Sequence, residues 1–365
     1  MSKHINNGKH ILKAVMSVGL LMLISCNDSA VPQQPADNWV TFGIADYDGW
    51  NEITRGSELT YNLLKETGLG VFAYHTGSTP WEDYIASSSP NFMNNTKVAY
   101  NTETEDWEYF PLRYWNSTDD SKISFFAYAP YNESQYLEGS KMTFTQPSEF
   151  DEQVDMCWST TDNRDLERET SSGKDVQLHF HHALSRIGFT ITVKGEDNAP
   201  LPEGVTMTIQ EVAVKGFGTG ALDLAVFSQP AQWSAYDNMK EFPLNASEHF
   251  VEGNYVLTKD NTGSQPLSKP GTFLMVIPKS YSADEPYKVI VRYKVELEDQ
   301  DGREYIEYRD ESAGVIPIDL VSGKTYIFNI ITNLKKSVIG DVSITDWKEN
   351  SEYVVIQGIV PETVK

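Results

Sequence analysis

The chain has 365 residues, and its 52 acidic and 29 basic side chains give a formal net charge of −23 at pH 7. Such an acidic surface repels nucleic acid and anionic lipid, so neither is expected as a binding partner. The sequence contains two cysteines, Cys26 and Cys157. If Cys26 carries lipid, as predicted below, Cys157 has no partner within the chain, and the fold must be held together by its hydrophobic core.

The N-terminus has the pattern of a bacterial export signal. Three lysines form a basic segment, and residues 14–24 follow as an apolar stretch that is too short to span about 30 Å of hydrocarbon as a helix. Residues 23–26, Leu-Ile-Ser-Cys, resemble the bacterial lipobox, in which the cysteine is diacylated and begins the mature chain. We predict a lipoprotein signal peptide at residues 1–25 and lipidation of Cys26, although a plain signal peptide with an incidental cysteine is the alternative.

The rest of the chain is dominated by strand patterns. Residues 26–37 are polar and contain proline, so they predict a flexible tether. After them, apolar residues alternate with polar ones in short segments that predict β-strands. The clearest segments are 40–47, 185–193, 205–214, 289–298, 303–308, 324–331 and 353–360. Helical periodicity is scarce, and it is best at residues 58–66, with Ser57 as the candidate N-cap.

A domain boundary is predicted at residues 160–175, which are charged and almost free of apolar side chains. Many short strands separated by Gly, Pro, Asn and Asp favour antiparallel sandwiches over a wound α/β sheet. The sequence therefore predicts an all-β protein with little helix, built from two antiparallel β-sandwich domains in tandem. The N-terminal sandwich is assigned to residues 38–168 and the C-terminal sandwich to residues 169–365.

Five motifs, in order along the chain, resemble those of the fimbrillin family, the Mfa-like type V pilins that gut and oral anaerobes assemble on their surface. The motifs lie at residues 69–74, 114–131, 176–187, 323–330 and 344–347. Two positions depart from the family pattern, because Arg186 stands where Lys is usual and Ala129 where a second Tyr is usual. The resemblance implies two sandwiches of transthyretin-like Greek-key topology, export as a lipoprotein, and polymerisation with other fimbrial subunits by strand exchange.

The resemblance also implies proteolytic maturation. In the family, an arginine-specific protease cuts in the N-terminal region and frees the lipidated first strand, and the matching position here is Arg55. This residue follows the predicted strand 40–47 and lies among glycines and polar residues, as an accessible loop requires. Removing that strand would uncover a sheet edge that pairs readily with another strand. An exposed arginine that is not processed is the alternative.

Three groups of residues are candidate chemical sites. His179 and His181 would share one face of a strand, a spacing that can bind zinc, but no further ligands with suitable spacing accompany them, so we predict no metal. Residues 299–302 resemble the start of a calcium loop, yet Arg303 stands where a ligand is needed, and a hairpin turn explains the segment. Cys157 has apolar neighbours and is predicted to be a buried thiol, not a nucleophile. No cofactor is predicted.

These observations predict a structural subunit of a surface fimbrium with a role in adhesion, either in the stalk or at the tip, and not an enzyme. It would be lipid-anchored in the outer membrane before maturation and reside in the fimbrium afterwards, with host or bacterial surface ligands as further partners. The alternative is a surface lipoprotein that binds glycans on exposed aromatic rings. Residues 353–360 would either donate a strand to the next subunit or form the last strand of their own domain.

Overall fold

The computed structural model describes residues 38–45, 58–84, 89–116, 120–159, 162–194, 199–226, 228–261, 263–298, 301–334, 337–347 and 354–356. Strands predominate in these residues and helices are short, so the predicted all-β class is confirmed. Within the same residues, no helix is both long enough and apolar enough to cross a membrane.

The first half of the chain contains eleven of the described strands. They are Thr41–Ile44 (β1), Leu69–Gly77 (β2), Met93–Asn101 (β3), Asp106–Glu108 (β4), Lys122–Ala129 (β5), Leu137–Glu138 (β6), Lys141–Thr145 (β7), Cys157–Ser159 (β8), Leu166–Glu167 (β9), Asp175–Leu178 (β10) and Phe180–His182 (β11). The helical segments are Tyr61–Thr67 (α1), Arg168–Ser171 (α2) and the 3-10 turns Trp81–Asp83 and Phe150–Glu152.

The second half adds longer strands. They are Ser185–Val193 (β12), Val205–Asp223 (β13), Trp233–Asn245 (β14), Val256–Leu257 (β15), Ser264–Pro266 (β16), Leu274–Val276 (β17), Ser280–Tyr281 (β18), Tyr287–Glu298 (β19), Glu304–Ile316 (β20), Ile318–Asp319 (β21), Lys324–Thr332 (β22), Ser337–Asp346 (β23) and Val354–Ile356 (β24). One helical turn, Ala246–His249 (α3), follows β14.

Thr60 is the N-cap of helix α1, and its hydroxyl accepts a hydrogen bond from the Leu63 amide at 3.1 Å. The predicted cap, Ser57, lies outside the described residues. The C-cap is Gly68, which has a φ of 74° and donates its amide to the Leu64 carbonyl. The helix predicted from periodicity is thus present, and it begins slightly later than expected.

Two sheets pack face to face to form the C-terminal core. One has the order β16-β12-β22-β23-β24 and the other has the order β20-β19-β13-β7-β6. Buried side chains of both meet in a single cluster, for example Phe189 and Phe328 from the first sheet and Val212 and Tyr293 from the second. Burial of such large apolar side chains contributes about 1.5–3 kcal/mol each, so this cluster is a main source of stability.

The N-terminal strands form a sheet with the order β11-β8-β5-β2-β3-β4. Most pairs in the described sheets are antiparallel, but β1 pairs in parallel with β10, and β12 pairs in parallel with β22. A third cluster joins the two halves of the chain, because Tyr128 and Phe72 pack in it together with Leu222 and Trp347.

Several strand pairs join residues on opposite sides of the predicted domain boundary. Strand β7, from the first half, pairs with β13, while β10 and β11 pair with β1 and β8. The polar stretch itself contains β9 and α2. The described residues from Asn38 onward belong to one compact unit. The division into residues 38–168 and 169–365 therefore stays a prediction.

Candidate functional site

The first strand occupies a slot between two distant parts of the chain. On one side, the Val40 amide donates to the Arg113 carbonyl at 2.8 Å, and the Trp115 amide donates to the Asn38 carbonyl at 2.9 Å. On the other side, Thr41–Ile44 runs in parallel register with Asp175–Leu178. We call this the β1 slot, meaning the space between residues 113–115 and β10. Its walls hold β1 through main-chain hydrogen bonds.

Two side chains, one just before β1 and one within it, line the bottom of the slot. Val40 and Phe42 are buried, and the Phe42 ring makes edge contacts with Tyr109 and Phe125 at centroid distances of 5.6 and 5.9 Å. The Tyr109 hydroxyl donates to the Val40 carbonyl at 2.8 Å. Burial raises the pKa of Tyr109, so this phenol stays protonated and keeps donating at neutral pH. The slot therefore accommodates two apolar side chains that lie two positions apart in the bound strand.

Exposed apolar side chains border the β1 slot. Phe110 is 89% exposed, and Leu112, Tyr114 and Trp39 are also exposed, with Trp39 and Tyr114 forming an antiparallel bridge. Exposed apolar groups that lie together mark surfaces that bind other macromolecules.

By contrast, the largest fully buried side chains of the described residues are all aromatic. Among the described residues, buried aromatic side chains outnumber the exposed ones, which favours a structural protein over a glycan binder.

A polar cluster lies at Glu58, the first described residue after the β1 segment. The Arg186 guanidinium donates from Nη1 to Glu58 Oε1 at 2.6 Å, and from Nε to Thr325 Oγ1 at 2.6 Å. Both partners of the ion pair are buried. The guanidinium also stacks on Phe273, with 4.3 Å between its central carbon and the ring centroid. Burial raises the pKa of Glu58, and the attraction of Arg186 opposes that rise.

A second buried group adjoins this ion pair. Asp155 accepts the Leu59 amide at 2.9 Å and contacts His182 Nδ1 at 2.9–3.0 Å. The His182 ring stacks on Trp347, with 4.0 Å between centroids and a 6° angle between planes. Cys157 Sγ lies 3.7 Å from the same Nδ1 atom. Burial and the Asp155 carboxylate raise the pKa of the Cys157 thiol well above its ordinary value.

The two site residues predicted from the sequence, Cys26 and Arg55, lie outside the described residues, and their modification stays a prediction. Cys157 is a buried free thiol, as the sequence indicates. His179 lies between β10 and β11 instead of within a strand, and His181 is half-buried beside Trp158 at a centroid distance of 6.1 Å.

Sequence reasoning missed the buried ion pair and the Asp155–His182 contact. The alternation in β12 did not mark Arg186 as buried, because that residue shares its strand face with Gly188, Thr190 and Thr192. The partner could not be inferred, since Glu58 lies more than a hundred residues earlier in the chain.

The fold is that of an antiparallel β-sandwich protein of the fimbrial type. It is similar to the crystal structure of a fimbrial protein from Bacteroides vulgatus, with a TM-score of 0.60, 19% identity, and coverage of 85% of this chain and all of that one. Residues 54–347 match the family model described as fimbrillin-like, and the chain belongs to this family. The family resemblance predicted from the motifs is therefore confirmed, and the chain is a member of a family of fimbrial structural proteins.

A curated relative supports the same assignment. The chain is 31% identical over 204 residues to the fimbrium subunit Fim1C of Phocaeicola vulgatus, a match that covers 50% of this chain and 52% of that protein. The chain thus spans about half the length of the relative that it matches.

Proposed function

We propose that this protein is a structural subunit of a surface fimbrium and that it joins other fimbrial subunits by exchange of its first strand. One observation carries the proposal. Strand β1 has four residues and is held in the β1 slot by segments that lie far from it in sequence. A strand held in this way can be replaced by a strand of another chain, because main-chain hydrogen bonds do not depend on the identity of the donor.

Loss of β1 would leave a slot that binds a new strand favourably. The Arg113 carbonyl, the Trp115 amide and the edge of β10 would lose their hydrogen-bond partners. The faces of Tyr109 and Phe125 that contact Phe42 would be uncovered. Unpaired main-chain groups and exposed apolar surface both favour association with an incoming strand.

Cleavage after Arg55 is the maturation step that this arrangement accommodates. Glu58 and Leu59, only three and four residues further on, are fixed by Arg186 and Asp155. A cut at Arg55 would therefore release β1 while the chain from Glu58 onward stays attached to the core. Lipidation of Cys26 would hold the precursor in the outer membrane until that cut occurs.

The tail is the proposed donor strand. Residues 354–356 pair antiparallel with β23, and the remainder of the predicted strand 353–360 lies outside the described residues. This pairing has three residue pairs at the edge of the sheet. Its release would uncover only part of the β23 edge, so the tail could leave its own sheet and enter the β1 slot of a neighbouring subunit. Adhesion would follow from the fimbrium at the cell surface, and no catalytic role is proposed.

N-terminal sequencing of filaments sheared from cells tests the maturation step, with the expectation that the subunit begins at Gly56. Arg55→Ala should leave precursor that begins at Cys26 and does not form ladders on denaturing gels run without boiling. Arg303→Ala is the matched control, since it removes an exposed arginine from a hairpin turn and should change neither result. Filaments whose subunits still begin at Cys26 would refute strand release.

A further inference from the structure

Asp155, Cys157 and His182 bring a carboxylate, a thiol and an imidazole together in the protein interior. We propose that these three side chains bind a zinc ion. The site is separate from the β1 slot and does not depend on strand exchange. Oxygen, sulfur and nitrogen ligands together are typical of zinc, which accepts all three in tetrahedral sites.

The three ligand atoms already have nearly the spacing of a zinc site. Cys157 Sγ lies 3.7 Å from His182 Nδ1 and 3.9 Å from Asp155 Oδ1, and the nitrogen and oxygen are 3.0 Å apart. A tetrahedral ion with bonds of about 2.3 Å to sulfur and about 2.0–2.1 Å to nitrogen and oxygen separates its ligand atoms by roughly 3.3–3.6 Å. Each side chain would have to move by only a few tenths of an ångström.

Paired strands hold two of the three ligands, and Asp155 lies in the loop two residues before β8. Cys157 begins β8, His182 ends β11, and the two residues are directly opposite each other in the antiparallel register. The Ala183 amide donates to the Met156 carbonyl at 2.7 Å and closes the ladder beside them. Ligands on paired strands are positioned more accurately than ligands on loops.

Neighbouring groups orient the ligands as supporting groups do in zinc sites. The Leu59 amide donates to Asp155 Oδ2 at 2.9 Å and orients the carboxylate, whose two oxygens lie 3.0 Å (Oδ1) and 2.9 Å (Oδ2) from His182 Nδ1, with Oδ1 also facing the thiol. The Trp347 ring, parallel to the imidazole, fixes the plane of His182. Such supporting contacts set ligand geometry and contribute to metal affinity.

The charges balance when zinc is bound. Binding would release the thiol proton to solvent and require the imidazole to carry its proton on Nε2, so that a thiolate and a carboxylate neutralise the dication. The nearby Glu58 carboxylate is already compensated by Arg186. A water molecule would take the fourth position, as at zinc sites with three protein ligands.

Metal titration of the full chain carrying Cys26→Ala tests the proposal, because Cys157 is then the only thiol. After metal is stripped with a chelator and zinc is added back, the protein should retain one zinc per chain through gel filtration, as measured by elemental analysis. Cobalt(II) in place of zinc should give the visible bands of tetrahedral cobalt and a thiolate-to-cobalt charge-transfer band. Cys157→Ser should abolish the charge-transfer band, and both it and His182→Gln should weaken zinc binding by about a hundredfold or more.

The matched control is His249→Gln, which removes the histidine of the other described cluster of metal-capable groups, Asp151, Glu248 and His249. It should leave the stoichiometry and the cobalt spectrum unchanged. The cobalt spectrum of the chain with Cys157 and His182 intact decides the matter even if the ligand variants fold poorly. Folded protein that retains no zinc, or that binds cobalt without a charge-transfer band, would overturn the proposal. So would zinc binding that is lost in His249→Gln but kept in Cys157→Ser and His182→Gln.

Discussion

Glu58 and Arg186 form a buried ion pair, 2.6 Å between Oε1 and Nη1, that links the start of the α1 segment to the β12 strand of the C-terminal core. The pair spans 128 residues of sequence and lies next to the third core cluster through Trp347, whose ring centroid is 5.2 Å from the guanidinium carbon. It therefore fixes the chain shortly after the predicted cleavage position and ties the two halves of the protein together.

Breaking this pair on one side should destabilise the protein strongly. Arg186→Met leaves the buried Glu58 carboxylate without its counter-charge, and we expect a loss of about 3–5 kcal/mol in the free energy of unfolding. Burial, together with the nearby Asp155 carboxylate, raises the pKa of Glu58 despite Arg186. The double variant Glu58→Leu with Arg186→Met removes both buried charges and should recover most of the loss. Urea denaturation, followed by tryptophan fluorescence, measures the free energy of unfolding of the unaltered protein and of the two variants.

The exposed pair Lys259–Glu203 provides the control, with 2.8 Å between its charged atoms. Lys259→Ala should leave the urea midpoint nearly unchanged, because an exposed pair gains little in water. A single Arg186→Met variant as stable as the Lys259→Ala variant would show that the buried pair does not tie the halves together.

The phenol of Tyr326 should give the protein a pH dependence in the alkaline range. Its hydroxyl donates to the Asp319 carbonyl at 2.8 Å and accepts the Val321 amide at 2.9 Å, and burial raises its pKa to about 12. Between pH 10 and 12 the unfolded chain releases this proton while the folded chain keeps it. The stability that Tyr326 contributes is therefore complete below pH 10 and is lost as the pH rises toward 12.

Comparison with Tyr326→Phe isolates this effect. At pH 8 the variant should be less stable by about 1–2 kcal/mol, because two partly buried hydrogen bonds to main-chain groups are lost. The difference in urea midpoint between the two proteins should then narrow as the pH is raised from 10 to 12. Tyr308→Phe, at an exposed position, should show no such trend. A difference in urea midpoint that stays constant from pH 10 to 12 would mean that the folded protein releases the Tyr326 proton as readily as the unfolded chain.

The β1 slot should bind its own strand in trans. Protein cut after Arg55 and freed of the N-terminal segment should bind a synthetic peptide of residues 37–46, since the peptide restores the hydrogen bonds to Arg113 and β10. The change Phe42→Ala in the peptide should weaken binding by about a hundredfold or more, because the ring fills a buried position.

Thr41→Ala, on a partly exposed neighbour, serves as the control peptide and should bind nearly as well as the unaltered sequence. Calorimetry or fluorescence anisotropy supplies the affinities. Equal affinities for the Phe42→Ala and Thr41→Ala peptides would contradict recognition by side-chain burial in the slot.

Local alternation in the sequence located many strands but could not pair them. The predicted segment 185–193 has the bounds of β12, and the hairpin predicted at residues 289–308 corresponds to β19 and β20. Alternation specifies which side chains face the core. It does not specify that β1 lies in parallel beside β10, or that β7 joins the sheet of β13. Those neighbours are selected by packing between segments far apart in the chain, and the same holds for Glu58 and Arg186.

Truncation after Lys348 distinguishes the two roles predicted for the tail. Three residues of the tail pair with β23 in the chain itself, Val354 with Ile344, Val355 with Ser343 and Ile356 with Val342. If the tail donates its strand to a neighbour, the truncated protein should fold, mature and reach the surface, and its urea midpoint should change little, because three pairs at a sheet edge contribute modestly. Filament length measured by electron microscopy should fall sharply.

Truncation after Val360 is the control, because it retains residues 353–360 and should leave the filaments unchanged. If the protein shortened after Lys348 instead unfolds or is degraded, the tail belongs to its own sheet and strand donation must come from another segment.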